Sequence, residues 1–119
     1  MRLINGACLL LIAVLSGGCA TTQYEWNNYD QRLLDFYKSA GKDGEFLSAM
    51  DAHLIDLEAR GVRPPPGLYA EVGTFHLRRG DRIRAVSYYG KEQAAWPESR
   101  SLMSALIRSI DEKTKGENP

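Results

Sequence analysis

Cys19 is the first side chain whose type could do chemistry. It lies in "LSGGCATTQ" (residues 15–23), where an apolar run gives way to two glycines and then to small polar residues. The chain has two cysteines, and the other, Cys8, sits inside the apolar run "LINGACLLLIAVL" (residues 3–15). Loss of that run would leave Cys19 with no partner for an intramolecular disulfide, and an unpaired thiol in an oxidising compartment is a liability unless it is capped. The two histidines, His53 and His76, fall on different helical patterns, and neither has a second ligand-type residue at metal-site spacing. His53 stands three residues before Asp56 and reads as part of a solvated helix face, whereas His76 falls at a packing position. Neither a metal nor any other cofactor is expected. Ser99 and Ser101 lack a G-x-S-x-G elbow, and there is no P-loop or dinucleotide fingerprint. Glu71, Glu92 and Glu98 would need a cleft to do paired acid–base chemistry. Their simpler reading puts Glu98 at the positive N-terminal end of the helix after Pro97. Glu71 and Glu92 are expected to pair with Arg79, Arg82 or Lys91, or to face a partner. The expectation is therefore a chain that is not an enzyme and takes no small-molecule substrate.

Charge narrows the classes further. The 119 residues carry 15 basic and 15 acidic side chains. No net field is left to hold nucleic acid, and no basic stripe is interleaved with aromatics. Arg2 is the only charge before Glu25. One basic residue, a short apolar stretch and then small residues make an export signal, and the stretch is shorter than the roughly 20 residues that span a bilayer. The segment resembles a bacterial lipoprotein signal, in which small residues such as Gly17 and Gly18 precede a cysteine that receives a thioether-linked lipid and becomes residue one after cleavage. Ser16 departs from the leucine usual three residues before that cysteine. The alternative is an ordinary signal peptide cut after Gly18 or Ala20. The lipoprotein resemblance implies a signal over residues 1–18, a lipidated tether over 19–23 and membrane attachment through Cys19. Two acyl chains anchor stably where one does so reversibly. Ala20, in place of aspartate, implies transport to the outer membrane, with the domain on its periplasmic face.

The elements behind these residues read as helices. Trp26, Tyr29, Leu33 and Phe36 recur at helix spacing, and Gly41 supplies a stop. Asp43 is expected to cap a second helix, whose Phe46, Met50, Leu54 and Leu57 share a face and which Gly61 closes. "RPPP" (63–66) forces a stiff connector. A third helix is expected from about Gly67 to Arg79, a stop-and-cap pair at Gly80-Asp81, a fourth helix over 82–95, a break at Trp96-Pro97 and a fifth helix built on Leu102, Leu106 and Ile110. The sequence thus predicts an all-α domain over residues 24–112 and a disordered tail over 113–119.

Tyr69, Val72, Gly73, His76, Ala85, Tyr89 and Pro97 reproduce tetratricopeptide offsets, with small Gly73 and Ala85 allowing two antiparallel helices to approach closely. A weaker earlier copy uses Phe36, Ala40, Ala52, Ala59 and Pro64. Antiparallel pairs stacked as a short tetratricopeptide-like array of about five helices follow from this, the last helix covering the final apolar face. "YEWNNYDQRLLDFYK" (24–38), "PPGLYAEVGTFHLRRGD" (65–81) and "KEQAAWPES" (91–99) together resemble the domain-of-unknown-function 4810 family of small bacterial lipoproteins. Asn27 stands where that family's glycine is expected. The resemblance implies partnership with other envelope lipoproteins, including one of the curli-assembly/transport kind, and no known activity. An accessory or scaffold subunit of an envelope assembly is the leading expectation. The alternatives are a regulator of an envelope enzyme such as a peptidoglycan synthase, and a cell-wall hydrolase. Tyr24 and Trp26 near the lipid end, and Arg79 and Arg82 beside the Gly80 turn, are the candidate partner-binding residues.

Overall fold

The structure is a computed structural model and describes residues 23–39 and 43–117. The signal segment, Cys19, most of the tether, Ala40 and the Gly41 stop lie outside the described residues. Five helices follow one another: α1 (Tyr29–Lys38), α2 (Asp43–Ala59), α3 (Leu68–Arg78), α4 (Arg82–Ala95) and α5 (Arg100–Glu117), with a 3-10 turn (Pro97–Ser99) before the last. No strand occurs among the described residues. The fold is the all-α array of packed helical pairs that the sequence predicts.

The breaks have local causes. Gly61 and Gly80 both take positive φ, 67° and 85°, where an L side chain is strained. Asp81 then caps α4, its carboxylate accepting from the Arg84 backbone N–H at 3.0 Å. Pro97 drives Trp96 into an extended conformation (φ −129°, ψ 87°) and so ends α4 at Ala95. Three boundaries differ from expectation. Asp43 lies within α2 rather than ahead of it. Trp26 precedes α1, because Asn27 and Asn28 both hold positive φ (48° and 53°) and interrupt the helical stripe. Finally, α5 runs on to Glu117, so residues 113–117 are helix and not a disordered tail. Arg82 pairs with Glu117 (Nη2 to Oε1, 2.8 Å), which ties that end of α5 to the start of α4.

The α3–α4 pair is the centre of the stack. A Cβ on Gly73 would meet Tyr88 Cβ at 3.0 Å, the Ala85 carbonyl at 3.2 Å and Tyr89 Cδ1 at 3.2 Å. The helices are this close because Gly73 has no side chain and Ala85 almost none. One face of α3 contributes Leu68, Tyr69, Val72 and Phe75 to a core shared with Met50 and Leu54 of α2 and Tyr88 of α4. Its other face supplies Ala70 and Leu77 to a second core around Ala85, Tyr89, Met103 and Ile110, which seats α5. The first pair is built differently. Ala52 and Ala59 are exposed, so α1 and α2 do not repeat the small-residue approach that the weaker repeat copy predicts. Aromatic rings join them instead: Phe36 packs on Phe46 at 5.2 Å and on Phe75 at 5.1 Å.

Inter-helix bonds fix the directions. Tyr69 pairs with Glu58 and His76 with Asp51, so α2 and α3 are antiparallel. Gly67 pairs with Glu92, so α3 and α4 are antiparallel. Arg82 with Glu117 and Gln93 with Ser104 make α4 and α5 antiparallel. One end of the stack therefore gathers residues 58–67 and 92–100, and the other gathers residues 43–51, 76–84 and 117.

Candidate functional site

The lead segment, residues 23–28, arrives at the first of these ends and is fastened there. Glu25 reaches Arg60 at the end of α2 through two bonds, 2.7 Å and 3.2 Å. This guanidinium lowers the Glu25 pKa below the ordinary carboxylate value of 4.5. His53 Nε2 donates to the Glu25 carbonyl at 2.8 Å. The Tyr24 ring stands edge-on to Trp96 at 5.9 Å, and the Arg63 guanidinium lies 4.0 Å over the other aromatic system of the pair, the Trp96 indole. Tyr24 is thus half-buried against the domain's own Trp96. Trp26 keeps 38% of its surface exposed beside Tyr29. His53 is buried and bonded to backbone, not solvated beside Asp56. Asp56 pairs with Arg60 one turn on instead.

A polar junction joins α2, α3 and α4. Asp51 accepts from Tyr88 Oη at 2.6 Å and from His76 Nε2 at 2.9 Å, and Arg84 comes within 3.6 Å of its other oxygen. The His76 and Tyr88 rings stack with centroids 5.6 Å apart. His76 is 4% exposed, which makes it a core residue as its packing position predicts. Burial is the main reason the Tyr88 phenol titrates well above its usual range, with the Asp51 carboxylate adding to the effect. The junction borders a shallow hollow of about 340 Å³ whose wall includes Ser48, Arg79 and Arg84.

Glu92 departs from the expected surface pairing. It is 1% exposed, and its Oε1 accepts the Gly67 backbone N–H at 2.7 Å and the Ser99 hydroxyl at 3.4 Å. Gly67 itself is left-handed and has no side chain with which to cap α3, so a carboxylate from α4 does so. Lys91 turns to Glu58, at 2.7 Å, rather than to Glu71 or Glu92, and Glu71 is exposed.

The four arginines around Gly80 diverge. Arg78 lies 5.8 Å over Phe75, and Arg82 bonds Glu117. Arg84 bridges Asp51 and Asp81, and Arg79 reaches across to the first turn of α2, 3.3 Å from where a Gly44 Cβ would stand. Of the candidate partner-binding residues, Tyr24 and Trp26 therefore lie at the lead end, and Arg79 and Arg82 at the opposite end. No group of three or more His, Cys, Asp or Glu side chains among the described residues is arranged to hold a metal ion. No described helix is long and apolar enough to cross a membrane. Asp51 and Tyr88 were not singled out by sequence reasoning, and Arg63 and Trp96 entered it only as part of a connector and a helix break. Their partners are distant in the chain, so no local signal marks them.

Compared with known proteins, the chain matches the family model for a domain of unknown function, DUF4810, over residues 23–106. No curated protein and no solved structure matches it.

Proposed function

This chain belongs to the DUF4810 family, and from that premise we propose that it is a non-enzymatic lipoprotein of the bacterial outer membrane. It is anchored through Cys19, faces the periplasm and serves as an accessory or scaffold subunit of an envelope assembly. Its partners are other envelope lipoproteins, one of the curli-assembly/transport kind among them. The observation that carries this reading is how the side chains with chemical capability are employed. His53 holds the lead segment, His76 and Asp51 help join three helices, and Glu92 caps the start of α3. His76 and Glu92 stand at opposite ends of α3. Nine residues separate His76 from Gly67, the contact of Glu92, or about 13 Å of helix axis at 1.5 Å per residue. They do not converge on a common substrate position. Large apolar side chains meanwhile stand on the surface, Tyr37, Ile55 and Ile83 among them, and such residues suit partner contact.

The test is mild crosslinking followed by gentle detergent extraction of the tagged chain from membranes, and identification of what accompanies it. Envelope lipoproteins in stoichiometric amounts are the expected result. A chain recovered alone would overturn the subunit reading, and an unmodified amino terminus by mass spectrometry would overturn the anchor.

A further inference from the structure

We propose that the end of the stack carrying residues 61–67 and 96–100 faces the membrane and rests on the phospholipid headgroups, so that the helices stand away from the bilayer. The inference rests on the Cys19 anchor proposed above. The lead segment is fastened at this end by Glu25–Arg60, by His53 and by Tyr24 on Trp96. Five peptide steps separate Cys19 from Tyr24, so Tyr24 lies within about 18 Å of the lipid-bearing residue even with the chain fully extended. The stack is longer than the slack of a relaxed tether: α4 has 14 residues, about 21 Å of axis. With the attachment fixed at one end, that end is the one kept at the bilayer.

The surface there has the chemistry of the headgroup zone. Leu102 is 62% exposed at the start of α5, Pro66 is exposed and Val62 half-exposed. Arg63 and Arg100 are exposed among them, and long basic side chains lay their stems on apolar surface while the charge meets phosphate. Three nearby acids are paired, Glu25 and Asp56 sharing Arg60 and Glu58 meeting Lys91; Glu71 and Glu98 remain exposed. The other end, with Gly80-Asp81 and Ile83, is then held out toward soluble or membrane-borne partners.

The experiment uses the full chain, exported, processed and lipidated in cells, and reconstituted into vesicles of phosphatidylethanolamine and phosphatidylglycerol. Acylated Cys19 cannot be labelled, so Ala94→Cys and Ile83→Cys each provide one thiol for a fluorophore. Both positions are exposed, and they are eleven residues apart on α4. At 3.6 residues per turn they share a helix face and differ in position by about 16 Å along the axis. Lipids carrying a nitroxide on the headgroup should quench the Ala94 label at least about threefold more than the Ile83 label, given that separation. The Tyr24→Ala/Glu25→Ala double variant should still float with vesicles but lose the difference. Equal or reversed quenching in the lipidated parent overturns the orientation and leaves the anchor standing. A difference that survives in the double variant refutes the role of the lead segment. Protein that lacks acyl mass and stays in the supernatant overturns anchor and orientation together.

Discussion

Replacing Glu92 by alanine tests the cross-helix cap. The carboxylate is 1% exposed, and its Oε1 accepts the Gly67 N–H at 2.7 Å, so the change strands a donor at the start of α3. Leaving that N–H without its acceptor costs about 1–3 kcal/mol. Roughly 50 Å³ of emptied volume adds about 1 kcal/mol when it does not collapse. Against this, Oε2 has no protein partner, and releasing an unsatisfied buried oxygen returns about 1 kcal/mol. The expected net loss is about 1–3 kcal/mol, a fall in Tm of about 5–20 °C for a domain of this size. Urea unfolding of the detergent-solubilised chain, followed by far-ultraviolet circular dichroism, measures it. Glu92→Gln retains an acceptor for Gly67 and should lose less than about 1 kcal/mol. If Glu92→Ala stays within about 0.5 kcal/mol of the parent, or if glutamine is as damaging as alanine, the capping argument is wrong.

Other expectations follow from the same geometry. Gly73→Ala places a methyl 3.0 Å from Tyr88 Cβ, so overpacking should outweigh the gain in helix propensity and destabilise by about 1 kcal/mol, with Gly73→Val worse, in the same unfolding assay. Tyr88→Phe removes the 2.6 Å bond to Asp51 but leaves His76 and Arg84 on that carboxylate, so a loss of about 1 kcal/mol is expected. Arg60→Ala should free the lead segment, read as faster amide exchange at Asn27–Tyr29 with α3 and α4 unchanged. In the parent the same release should follow acidification. Glu25 has a folded-state pKa below its ordinary 4.5, so its contribution is fully present above 4.5 and is lost as pH falls through the lowered value. Exchange that accelerates at mildly acidic pH, well above 4.5, would contradict the assignment to Glu25.

What could be read in advance was what neighbours in sequence decide. Gly80-Asp81 forms its stop and cap within five residues, Pro97 ends α4 through the residue before it, and Gly73 with Ala85 marks a close approach by size alone. The misread positions depend on distant chain. His53 finds its acceptor 28 residues away and Glu92 its donor 25 residues away, and nothing beside either residue announces that. Trp26 keeps the three-residue rhythm of α1 although two left-handed asparagines detach it from the helix. The polar composition of residues 113–117 concealed a helical turn held by Arg82 on another element.

The fastening of the lead segment also sets how the domain bears load. A pull on the amino terminus does not first peel α1 away turn by turn. It is shared at once among the Glu25 bonds to Arg60 and His53 and the Tyr24–Trp96 contact. The force passes directly into the carboxyl-terminal ends of α2 and α4, and α1 is sheltered from it until those links give way.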